Sequence, residues 1–194
     1  MTALFIAALA LVGVVAAGIA AVTGFGIGSL LTPVLALAVG TKLAVAAISI
    51  PHLVGSAQRF WLLRRHVDRR VLLRFGIASA VGGLAGALGG MVGNQGGIRT
   101  AALLGFEVPK ESFVATATAI ALFVDGARMP VYLATEWREI ARIWLLILAA
   151  TIGVVAGTML GTRVLGRLRQ DAFRRVIGVL LVLLGVYMAV AGRG

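Results

Sequence analysis

The chain has 194 residues, 60% of them hydrophobic and 13% charged, with no cysteine and a net charge of +11. Its mean hydropathy of +1.04 is far above what a soluble domain sustains, so the sequence describes an integral membrane protein. Disulfide and thiolate chemistry are excluded, and because the arginines gather in short segments between apolar runs, membrane orientation accounts for the charge better than nucleic acid does.

Apolar runs long enough to cross roughly 30 Å of hydrocarbon as helices fall at 3–22, 42–63, 71–92, 112–133, 143–162 and 176–192. They lack the alternation of a β-barrel, so the predicted fold is an all-α polytopic membrane protein. The first run, rich in Ala and Gly, has neither a basic n-region nor a cleavage site and reads as a retained helix. It breaks at 23–28, where Gly24, Gly26 and Gly28 permit backbone angles that other residues resist. The following segment, 29–39, contains Pro33 and is too short to cross, so a broken or re-entrant element is expected.

Run 42–63 carries Pro51 and His52 in its middle, and the basic loop 64–70 after it should be cytoplasmic. Run 71–92 bears Gly82, Gly86 and Gly90 in GxxxG spacing and passes directly into GNQGGIR at 93–99. That stretch is a second glycine break, with strongly polar side chains on it. In hydrocarbon an unpaired backbone group costs several kcal/mol, so such a break persists only where protein buries it or it lines a watery cavity. A short segment at 100–106 and a turn at 107–111 lead to run 112–133, which contains Asp125 and Arg128. A nearly charge-balanced loop at 135–142 can face outward. Run 143–162 has Gly153, Gly157 and Gly161 in register, and a loop at 163–175 with five arginines should be cytoplasmic.

Two halves resemble each other. Gly24 and Gly93, Gly28 and Gly97, and Arg59 and Arg128 are each 69 apart, and Gly82, Gly86 and Gly90 match Gly153, Gly157 and Gly161 after a drift of about two. The division is 1–92 and 93–194. Because the basic loop 64–70 aligns with the neutral loop 135–142, the halves are expected in opposite orientations, an inverted-repeat transporter with two broken or re-entrant helices.

TGFGIGSLLTPVLALAVGTKLAVAAISIPH at 23–52, RFWLLRRHVDRRVL at 59–72 and VGNQGGIRTAALLGFEVPKESFVATATAIALFVDGARMPVYL at 92–133 resemble the TauE/SafE sulfite exporter family, the TSUP permeases. The third block is the most specific. The resemblance implies a multi-pass inner-membrane permease that moves a sulfur-containing anion of the sulfite, organosulfonate or thiosulfate class. It also implies a chain shortened by about two spans between the halves, since members typically carry a further helix on each side of that junction.

Candidate substrate-binding residues follow from the breaks and the buried charges: Gly24, Gly26, Gly28 and Ser29 at the first break, Asn94, Gln95, Gly96, Gly97 and Arg99 at the second, and Asp125 and Arg128. Arg99 can join helix N–H groups in holding an anion, or can cap broken carbonyls. Asn94 and Gln95 can donate to sulfonyl-type oxygens or satisfy the unwound backbone. Asp125 and Arg128 can form a local ion pair, or serve proton coupling and anion binding respectively. Arg59, five residues from Arg64, is expected to snorkel to the interface, and His52 to be a packed neutral histidine rather than a proton relay. The hydroxyls of Thr23, Ser29, Thr116 and Thr118 can bond their own helices. No catalytic, metal or cofactor site is assigned; the expected partners are a small anion and the lipid bilayer, with a homo-oligomer compatible with the sequence. A non-transporting scaffold is the alternative. An intramembrane serine protease is weaker still, because GIGS at 26–29 is not a nucleophile elbow and His52 is the one histidine at membrane depth.

Overall fold

The first helix, α1 (Ala3–Thr23), ends because Gly24 (φ 83°) and Gly26 (φ 131°) take left-handed conformations that side chains resist. A computed structural model describes residues 3–73, 81, 100, 101, 103–105 and 108–191. Thr23 stabilises the break, its hydroxyl donating to the carbonyls of Ile19 (2.9 Å) and Phe25 (2.8 Å), which is the local role expected of it. The chain then folds back along α1. A Cβ placed on Gly26 would stand 3.6 Å from the Ala16 carbonyl oxygen, so α2 (Ile27–Val39) returns beside the helix that preceded it. The glycine break expected at 23–28 and the short helix expected after it are both present.

Gly40 (φ 79°) turns the chain into α3 (Thr41–Leu63), and a 3-10 turn follows at Arg64–His66. The second part of the chain contributes α4 (Lys110–Arg142), α5 (Trp144–Arg167) and α6 (Gln170–Ala191). Among the described residues all regular structure is helical. By length and composition α1, α4 and α5 are suited to cross a membrane; α3 has the length but carries His52, Gln58 and Arg59. The protein is an all-α polytopic membrane protein.

Two expected loops are helix instead. Residues 135–142 continue α4, which at 33 residues extends about 50 Å. Residues 163–175 are the end of α5 and the start of α6, joined at 168–169. Charge at these places marks emergence from the bilayer, and neither segment contains a proline that would end a helix. Run 71–92 from residue 74 on, apart from Val81, lies outside the described residues, as does the break at 93–99.

Helices α1 and α5 run parallel in intimate contact. A Cβ at Gly153 would overlap the Ala10 carbonyl oxygen, and one at Gly157 that of Val14; at Gly161 it would meet the Gly18 carbonyl oxygen at 2.5 Å. The GxxxG face of α5 therefore seats backbone on backbone. Helices α3 and α4 run antiparallel, as successive contacts show: Lys42 with Glu136, Ser49 with Met129, His52 with Asp125 and Arg59 with Thr118.

Both basic segments lie at one end of the molecule. The Asp68 amide donates to Thr116 Oγ1 (2.9 Å), Lys110 Nζ donates to the Leu165 carbonyl (3.1 Å), and the Lys110 amide donates to Gln170 Oε1 (3.0 Å). Phe113 and Phe173 stack edge to face there at 5.5 Å, within a cluster that also buries Leu63, Val71 and Ile177. Exposed Trp61, with the Arg64 guanidinium 3.7 Å above its ring, marks the same boundary.

Candidate functional site

Among the described residues, the buried charged side chains, Arg59 and Asp125, lie on the antiparallel seam of α3 and α4. On α3, Lys42, Ser49, His52 and Arg59 follow at spacings of seven, three and seven; on α4, Thr118, Asp125, Met129 and Glu136 follow at seven, four and seven. Heptad spacing places each set on one face, so the two polar stripes meet.

At the centre of the seam, Asp125 is buried, its side chain 1% exposed. Its Oδ2 lies 2.6 Å from His52 Nδ1, and its Oδ1 accepts a hydrogen bond from Arg128 Nη2 at 3.1 Å. The local Asp125–Arg128 pair expected from the sequence is present, one helical turn apart. His52 is not merely packed. It bridges the helices, and its Cδ2 edge faces the first turn of α2, where a Cβ on Gly28 would stand 4.0 Å away. Removing the carboxylate strands two donors at once. Asp125→Ala is expected to cost about 3–5 kcal/mol, the penalty for breaking a buried pair by deleting one partner, and Asp125→Asn distinctly less. Denaturant unfolding in detergent measures both, and equal costs would show that the charge is irrelevant to the stability of the seam.

Two turns along α3, Arg59 corrects the sequence expectation. It does not snorkel: it is 1% exposed, because its face of α3 is the one covered by α4. Its Nε donates to Thr118 Oγ1 (2.8 Å) and its Nη2 to Ser56 Oγ (3.4 Å). Among the described residues no carboxylate forms an ion pair with it, and Nη1 has no hydrogen-bond partner. Helical side chains lean toward the N-terminus of their helix, which brings the guanidinium back to Ser56. The hydroxyl of Thr158, buried and also without a partner among the described residues, would lie 3.5 Å from a Cβ on Gly55. Arg59 Nη1 and the Thr158 hydroxyl are thus both buried without a partner among the described residues, on α3 and on the α5 turn that packs against Gly55. A planar guanidinium donates to oxyanions two bonds at a time, which suits sulfur oxyanions geometrically.

The first-break residues do not act as one group. Gly28, on the first turn of α2, faces His52. Gly24 packs on α4, its absent Cβ leaving 2.9 Å to Ala117 Cβ. Gly26 and Ser29 instead line a cavity of about 370 Å³ with Ile19, Phe25, Pro33 and Leu183, an apolar surround unlike an anion site. Asn94, Gln95, Gly96, Gly97 and Arg99 lie outside the described residues.

The model of one family, sulfite exporter TauE/SafE, matches residues 9–90 and again residues 80–188. The chain belongs to the TauE/SafE family. Comparison with curated proteins and with solved structures finds no match. TauE/SafE membership makes the protein a membrane transporter of sulfite-type anions rather than an enzyme. The seam residues that sequence reasoning underrated, Arg59 and His52, fall within the first matched stretch, and Thr118, Asp125, Arg128 and Thr158 within the second. The signal that would have found Arg59 is its seven-residue spacing from His52, read against the seven-residue spacing of Thr118 and Asp125.

Proposed function

We propose that the protein is an inner-membrane permease for a small sulfur-containing anion of the sulfite, organosulfonate or thiosulfate class, working by alternating access. The observation that carries this reading is Arg59, a buried guanidinium with an unsatisfied edge and no counter-charge in contact among the described residues. An intramembrane cation of this kind is costly unless something anionic visits it. A transported oxyanion supplies that partner.

Further support comes from the architecture. Helices α3 and α4 start at Thr41 and Lys110, 69 residues apart, which is the offset of the sequence repeat, and they run antiparallel as inverted halves 1–92 and 93–194 would. The common end that collects Arg64, Arg65, Arg163 and Arg167 suits a cytoplasmic face for 64–70 and 163–175. In this reading Asn94, Gln95 and Arg99 supply donors to the anion, along with Arg59 and Arg128.

The direct test is labelled sulfite efflux from vesicles reconstituted with the purified chain, paired with thermal unfolding in sulfite, sulfate, thiosulfate, sulfoacetate and a carboxylate control. Saturable flux is expected, along with stabilisation of about 2.7 kcal/mol when an anion is present at 100 times its Kd. Folded protein that shows neither flux nor stabilisation by any sulfur anion would end the assignment.

A further inference from the structure

The geometry points to His52 as the carrier of a proton that moves with each anion, making the permease an anion–proton symporter. This rests on the permease reading above and adds the coupled ion to it.

Asp125 receives donors on both oxygens, Arg128 Nη2 on Oδ1 and the His52 ring on Oδ2. A carboxylate held in this way as an acceptor puts the hydrogen of a neutral His52 on Nδ1 and leaves Nε2 as the basic nitrogen. The Cδ2 edge beside Nε2 faces Gly28, where the lack of a side chain leaves the approach open, and the His52 side chain is 19% exposed.

Charge then links the two ligands. Asp125 and Arg128 cancel, so together with Arg59 the seam carries +1 while His52 is neutral and +2 once His52 is protonated. A second uncompensated positive charge at this depth is unfavourable. A monovalent anion on Arg59, seven residues along the same face, returns the protonated seam to +1 and so favours the proton. Each ligand therefore raises the affinity for the other by the same factor, as linkage requires. The proton adds to Nε2 from the aqueous phase on one side while Nδ1–H stays on Asp125, and it leaves Nε2 to water on the other side as the anion departs.

Among the described residues no other titratable group blurs this assignment. From α4, Asp125 and Arg128 face His52; on α3 itself the charged neighbours along the seam are Arg59 and, ten residues back, Lys42, which pairs with Glu136. Helices α1 and α2 contain no titratable side chain, and the charged residues of α5 are Arg163 and Arg167 at its basic end.

The test measures initial uptake of labelled methanesulfonate and thiosulfate into vesicles with and without an inward proton gradient, at clamped membrane potential. Both anions keep their charge near neutral pH, so their own titration cannot mimic coupling. The expected ratio for the wild type is at least about fivefold, the lower end of ordinary coupling energies, and for His52→Gln it is about one. Saturable wild-type uptake that ignores the gradient overturns the coupling and leaves the permease standing. A wild type that moves neither these anions nor sulfite overturns both. A folded His52→Gln protein that keeps the gradient response, or that moves no anion under either condition, removes the proton from His52. Should that variant fail to fold, Asp125→Asn, which weakens the same contact, is read by the same ratio and must also approach one.

Discussion

Arg59→Gln is expected to lower saturable sulfite flux about 30-fold or more without lowering thermal stability. The size follows from the charge-assisted hydrogen bonds that the guanidinium gives the anion. Truncating one partner of a buried, hydrogen-bonded charge pair costs 2–5 kcal/mol, and each 1.4 kcal/mol is a factor of about ten. The sign of the stability effect separates transport from scaffolding. A structural arginine would be missed when removed. Arg59, in contrast, is buried with Nη1 unsatisfied and no ion-pair partner among the described residues, so a neutral side chain of similar volume relieves a desolvation penalty. Arg59→Met should therefore unfold at the same or a higher temperature than the wild type, and lose its stabilisation by sulfite. Arg59→Lys keeps the charge but not the fork that reaches Thr118 and Ser56, and should retain flux between the two. Flux that survives Arg59→Met would remove the residue from the anion path. A large fall in stability without anion would make it a structural cap.

How much of the molecule is readable from its sequence depends on whether one helix or two decide the matter. Composition alone set the helical membrane class, because no soluble fold tolerates such hydropathy. The break at Gly24 and Gly26 was legible because it is local: a positive φ is a property of one residue. The Asp125–Arg128 pair was local too, three residues apart on one helix. Arg59 was not, because its distance in sequence from the basic segment says how far it is from the interface but not which way it points. Its azimuth is shared with His52 and Ser56, and only the packing of α4 against that face turns the azimuth into burial. The charged stretches 135–142 and 163–175 misled for a related reason. Polarity there reports water, and a helix leaving the bilayer goes on until a breaker or a tertiary contact stops it, as at Ile143 and Leu168. Of the two predicted breaks, the first sets Gly28 against His52 and gives Gly26 and Ser29 to an apolar cavity, a division no spacing rule contains.

The second large effect belongs to the scaffold. In Gly157→Leu the new side chain has no room, since even a Cβ would overlap the Val14 carbonyl oxygen, and Gly153 and Gly161 bring α5 equally close to α1 at the turns on either side. Backbone cannot yield as a flexible side chain can, so the two helices must separate along the whole interface, losing the dispersion that holds apolar helices together within lipid. The cost is expected to exceed the roughly 1–3 kcal/mol of ordinary overpacking. Gly166→Leu is the matched control, because a Cβ there meets nothing within 4 Å. Unfolding midpoints in detergent should fall sharply for Gly157→Leu and hardly at all for Gly166→Leu. The consequence for transport is indirect but definite: α5 also carries Val154 and Thr158 against Gly55 of α3, so a displaced α5 loosens the corner where α3 and α5 meet, one turn from Arg59. Loss of anion-dependent stabilisation together with the fall in midpoint would tie that corner to the α1–α5 interface; a fall in midpoint with stabilisation intact would show that the anion is held without α5.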